Sequence, residues 1–194
     1  KAGGDGEPLL LDVHWSLGFD LPGFDAVPSD DWFERALTAA LGTQPFRVPA
    51  PEDHFVYLCG HHVIQHMYDA ATLYRLHDLA LLLQTAGDAF DWQGVCRRAD
   101  EWELAMAVQL TCRALTSRWP DLLPPAAARA FEALAPSARE AGFIQAAQQG
   151  RADASANRLL AASRLPPLRR ACFLLEWLLP SRAYMRRRYD CGPA

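Results

Sequence analysis

A mainly α-helical fold, a helical bundle following a small N-terminal segment that contains strands, is what this sequence predicts. Three observations carry the prediction. Apolar residues recur with a period near 3.6 from about residue 49 onward, the spacing that lines one face of a helix. Gly42, Gly87, Pro120 and Pro166-Pro167 punctuate the periodic stretches where helices stop. A chain of 194 residues with 51% apolar and 22% charged side chains suffices for one packed domain with an appended arm.

The elements follow in order. Leu9–Leu17, edged by Pro8 and Gly18, reads as a buried strand, with Asp12 and His14 on one face and Leu11 and Val13 on the other. A loop rich in Pro, Gly and Asp leads to Ser29. Asp30 or Asp31 then caps a short helix over Trp32–Leu41 that Gly42 stops, and Phe46–Val48 reads as a second brief strand. Pro51 offers the fixed φ of a first helical position, and Glu52 and Asp53 complement the helix dipole, so a helix begins there. Its apolar spacing runs through Phe55, Leu58, Cys59, Val63 and Met67.

A second helix over about 70–85 sets Leu73, Leu76, Leu79, Ala80 and Leu83 on one stripe. Asp91 caps a third, whose inward face is Trp92, Val95 and Ala99. A long helix from Glu103 to Trp119 is halted before Pro120. Shorter helices cover Pro125–Leu134, Ala138–Gln149 and Asp153–Ser163, before an amphipathic Leu168–Leu179 and a final Ser181–Tyr189. The chain thus divides into a strand-containing region at 1–48, a helical domain at 49–165 and an Arg-rich helical arm at 166–194.

Composition narrows the function classes. No apolar run approaches the roughly 20 residues that span a bilayer; the longest, Ala171–Leu179, is interrupted by Glu176. The opening Lys1–Pro8 has neither an initiator Met nor the apolar core of a signal peptide, and reads as a cut end or a linker. The five cysteines are odd in number, widely spaced and without a C-x-x-C pair, which points to structural thiols in a reducing compartment, the cytoplasm.

The net charge of −4 conceals an asymmetry. Residues 1–150 hold 10 basic and 20 acidic side chains, whereas residues 151–194 hold 9 arginines and 3 acidic ones. Arg182, Arg186, Arg187 and Arg188, interleaved with Tyr184 and Tyr189, suit packing against the acidic body. The same patch suits contact with a protein partner, nucleic acid or an anionic membrane surface.

An ordered series of motifs then stands out: Leu11-Asp-Val-His-Trp15, Pro49-Ala-Pro-Glu-Asp53 opening the helix through Tyr57–His66, Tyr74–Leu83, Asp91-Trp92, and Leu179–Tyr189 at the close. In this order and spacing the sequence resembles the bacterial uncharacterised nucleotidyltransferase family. The resemblance implies that the chain is the rear part of an α+β nucleotidyltransferase fold, with 1–48 a remnant of its sheet region. It implies transfer of a nucleotidyl group from an NTP to an unknown acceptor. In that fold a Gly-Ser turn holds the triphosphate, while an Asp-x-Asp pair and a third carboxylate hold divalent metal, Mg²⁺. The hard cations bridge carboxylate and phosphate oxygens and stabilise the leaving pyrophosphate.

Neither a Gly-Ser pair nor an Asp-x-Asp triplet occurs in this sequence. In the family both precede the His-Trp strand, so the chain by itself is expected to be inactive. By resemblance Asp12 is the third metal carboxylate and catalytic residue, with a structural ion pair as its alternative. His14, two residues on and on the same face, borders the substrate, and Arg75 is a second candidate for substrate contact or for bracing the helices. Arg75 also stands three residues before Asp78, a helical ion-pair spacing. His62 and His66 stand four apart on one helix, a spacing able to hold a transition metal, or else to bond neighbouring helices together. The competing functional reading is a non-catalytic helical interaction module derived from such an enzyme.

Overall fold

The computed structural model describes residues 29–65, 73–146, 162 and 165–179. The described residues form eight α-helices, one hairpin, a π-helical stretch at His61–Gln65 and a 3-10 turn at Gly87–Ala89. The α-helices and strands are α1 (Ser29–Arg35), β1 (Leu37–Leu41), β2 (Gln44–Val48), α2 (Pro51–Gly60), α3 (Leu73–Ala86), α4 (Trp92–Glu101), α5 (Ala105–Arg118), α6 (Pro125–Glu132), α7 (Ala138–Ala146) and α8 (Pro167–Leu178). The expected architecture, a bundle after a strand-containing segment, is the one observed.

The largest departure lies before the bundle. The helix expected over Trp32–Leu41 ends at Arg35, and Leu37–Leu41 is instead a strand paired antiparallel with Gln44–Val48. The pairing joins Leu41 to Gln44, leaving Gly42 and Thr43 as a two-residue turn. Gly42 has φ +63°, a conformation such hairpin turns demand and side chains resist. Gly42 therefore reverses the chain rather than merely stopping a helix. Arg47, on the returning strand, donates from Nη2 to the Phe33 and Ala36 carbonyls at 2.8 and 2.6 Å. The hairpin thus adds donors to the carbonyls at the end of α1, where the Phe33 carbonyl also accepts the Ala36 amide at 3.3 Å.

From Pro51 the periodic reading holds through the described helices, while the expected strand Leu9–Leu17 and the expected helices Asp153–Ser163 (Ala162 aside) and Ser181–Tyr189 lie outside the described residues. Pro51 occupies the first turn of α2, with Glu52 and Asp53 beside it. Phe55, Cys59 and Val63 are buried as expected, and so are Val56 and Ile64. At His61 the α-helix passes into a π-helical stretch to Gln65, which helical spacing alone did not anticipate. On α3 the stripe Leu76, Leu79, Ala80 and Leu83 is buried, but Leu73 is 52% exposed: the stripe meets its neighbours only after the first turn.

α2 is the central element, packed against α3, α4 and α5, with α6 closing over α4 and α5. Phe55 of α2 anchors an aromatic cluster, edge-on to Phe90 at 5.7 Å and stacked on Phe131 at 6.4 Å. Trp92 completes it, 4.6 Å from the Phe90 ring.

α5 begins at Ala105, not at Glu103. Glu103, two residues past the end of α4, adopts φ +54°, while its amide bonds Asp100 O and the Leu104 amide bonds Ala99 O. This pair of bonds is a Schellman ending, and Leu104, fully buried, supplies the apolar contact that accompanies one. A helix-favouring side chain thus sits in the left-handed region because the turn between α4 and α5 requires it.

Candidate functional site

Asp53 is the most deeply placed carboxylate of the N-terminal junction, 2% exposed in the first turn of α2. Each of its oxygens receives one guanidinium. Arg35 Nε, at the end of α1, donates to Oδ2 at 2.7 Å, and Arg98 Nε, on α4, donates to Oδ1 at 3.0 Å. Arg98 also pairs with Glu101, and Arg35 lies 3.7 Å from Asp31. Buried charge is tolerated here because donors and counter-charges surround it.

Beside the clasp, Trp32 of α1 is buried against Tyr57 of α2, edge-on at 5.5 Å, and lies 6.2 Å from the Trp102 ring. Polar clasp and indole wedge together dock α1, the element that directly follows residues 1–28, onto the bundle. The neighbouring first-turn acid, Glu52, accepts the Asp91 amide at 2.9 Å. The Asp91 carboxylate in turn faces the start of α4, short of a well-formed cap bond. Its pKa is held low first by the Gly94 amide and then by Arg97, 3.0 Å away.

The expected site residues distribute unevenly over this frame. Asp12, His14 and His66 lie outside the described residues. Arg75 is half-buried on α3, its guanidinium 4.9 Å from the centre of the exposed Tyr74 ring. Asp78 acts on His54, whose pKa burial lowers and the Asp78 charge raises in opposition. His62 is buried in the π-helical stretch. Among the described residues no group of three or more His, Cys, Asp or Glu side chains is placed to hold a metal ion.

A second buried carboxylate, Glu140 on α7, was not singled out from the sequence. Its oxygens accept the Met106 and Ala107 amides at 2.9 and 2.8 Å, so it caps the N-terminus of α5 from another helix. Burial pushes its pKa up to about 7, against the pull of those two amides and of Arg139. Arg139 in turn pairs with Glu103 in the α4–α5 turn. No local pattern marks these tertiary partners. An acidic residue within an otherwise apolar helical face was the available signal.

Two of the described thiols have the burial of structural residues, whereas Cys96 is half-buried and Cys172 is exposed. Cys59 and Cys112 are buried and unbridged, and burial raises both pKa values. Among the described residues no helix is long and apolar enough to cross a membrane.

Residues 5–120 match a protein family described as uncharacterised nucleotidyltransferase. The matched span contains the Asp12-His14 segment, the Asp53 clasp and α2 to α5, and stops before α6 and the closing Arg-rich motif. No curated protein and no solved structure gives a significant match. With more than half of its length matched, the chain belongs to the uncharacterised nucleotidyltransferase family.

Proposed function

We propose that this chain is the rear part of an enzyme that transfers a nucleotidyl group from an NTP to an acceptor. The observation that carries the reading is the family match across 5–120, which includes Asp12. In this reading residues 1–48 belong to the catalytic sheet region, the helices at 49–165 shape the acceptor side, and 166–194 form an arm. Asp12 is the catalytic carboxylate, and His14 and Arg75 lie along the substrate path.

The clasp on Asp53 supports that organisation, because it ties α1 to α2 and α4 and so anchors the end of the N-terminal region. The described residues supply no group of three or more ligands for the Mg²⁺ implied by resemblance. Without Gly-Ser and Asp-x-Asp, the chain by itself turns over no NTP. The unbridged, buried Cys59 and Cys112 suit a cytoplasmic location.

The test is pyrophosphate release from each of the four NTPs by the native full-length protein and its Asp12→Ala variant. Release that falls to background in the variant supports the reading. Equal release from both overturns it.

One observation favours a second reading, that of a non-catalytic interaction module. The hairpin exposes Leu37, Leu41 and Phe46, and α8 exposes Leu168, Leu175 and Leu178, apolar side chains of the kind that mark contact surfaces. No release from any NTP by the native protein, together with a stable stoichiometric partner, selects this reading.

A further inference from the structure

We propose that a cleft at one end of the bundle binds a neutral or cationic, hydroxyl-rich ring of the saccharide class. The cleft encloses about 690 Å³, within the range of small-molecule sites, where the end of α3 and the start of α4 meet the end of α5. Two tryptophans line it, Trp92 and Trp119. Trp92 is held edge-on against Phe90 and Phe131, with centroids at 4.6 and 5.8 Å, so its position is set by the core. Trp119 follows the last residue of α5, packs partly on the core and meets no other aromatic ring among the described residues.

Four polar side chains also line the cleft: Gln84, Asp88, Arg118 and Asp121. Among the described residues none of the four makes a hydrogen bond or an ion pair. Their capacity is therefore open to an occupant. Two carboxylates accept, one guanidinium donates, and one amide does both, a set that matches ring hydroxyls spread around a sugar. An indole face turned to the occupant, negative at its π surface, would attract the electropositive C–H face of such a ring. The formal charge of the four is −1, which disfavours a polyphosphate and admits an amino group. The fold sets the backbone positions of these groups, and the core holds the Trp92 indole beside them.

The inference concerns binding alone and needs no turnover, so it stands or falls apart from nucleotidyl transfer. Saturation-transfer NMR on the full chain tests it, with maltose, N-acetylglucosamine and glucosamine as probes and adenosine and ATP as competitors. The expected result is transfer to at least one sugar, undiminished by ATP. The exposed pair Asp88→Asn and Asp121→Asn together weaken that binding by about tenfold, the effect of about 1.4 kcal/mol. Trp119→Ala, with its fold checked by circular dichroism, abolishes it. Absence of transfer to all three sugars overturns the proposal. So does sugar binding that survives the aspartate substitutions unchanged, or that adenosine or ATP displaces.

Discussion

Replacing Asp53 with alanine removes the carboxylate on which arginines from two separate helices converge. The carboxylate is almost wholly buried, and its partners Arg35 and Arg98 retain only 28% and 20% side-chain exposure. Breaking a buried pair by deleting one member costs about 3–5 kcal/mol, because the surviving charge stays desolvated. Two features place Asp53→Ala at the lower end. Both guanidiniums reach some solvent, and Arg98 keeps Glu101 while Arg35 keeps Asp31.

A loss of about 3 kcal/mol follows, equivalent to a fall in Tm of about 6–12 °C for a chain of this size. Urea denaturation followed by tryptophan fluorescence measures it, with two of the six tryptophans, Trp32 and Trp102, beside the clasp. A double-mutant cycle with Arg98→Met isolates the pair and should return a coupling of at least about 1.5 kcal/mol. A loss below about 0.5 kcal/mol, or strictly additive substitutions, would refute the clasp as the anchor of α1.

Three further outcomes are expected. Burial raises the Glu140 pKa from 4.5 to about 7 in the folded protein. Between those values the native state therefore binds more protons than the unfolded one, and the contribution of Glu140 to stability falls as pH rises through this window. The slope is at most about 1.4 kcal/mol per pH unit, and denaturation titrations should show it vanish in Glu140→Gln. Gly42→Ala meets no neighbouring atom yet must adopt φ +63°, so it should cost about 1–2 kcal/mol of backbone strain by urea denaturation. Under native conditions a thiol reagent followed by peptide mass mapping should label the exposed Cys172 rapidly. Cys59 and Cys112 should react only as the protein unfolds.

Local signals located most helices of the bundle but not what joins them. Pro51 and the two acids behind it announced the start of α2, and the apolar stripe of α3 was legible down to Leu83. The same acids read as partners of a helix dipole turned out to have tertiary roles: Asp53 receives Arg35 and Arg98, and Glu52 receives the Asp91 amide. Those partners lie 18, 45 and 39 residues away, beyond the reach of any windowed pattern. Glu140 escaped notice for the same reason, its two amides belonging to another helix.

The hairpin shows the limit most clearly. Residues 36–41 are alanine- and leucine-rich and favour a helix by propensity, a preference worth only tenths of a kcal/mol per residue. Pairing with Gln44–Val48 and the Arg47 bonds to the end of α1 outweigh it. The cleft between Trp92 and Trp119 was equally invisible, since its walls come from helix ends brought together by the core. By itself the sequence determined the family, the helical class and the faces that turn inward, because these follow from motif order and from the 3.6-residue period. Only the tertiary structure decided where the buried charges find partners and where a cavity opens. Both depend on side chains distant along the chain meeting in space, where desolvation makes each contact count.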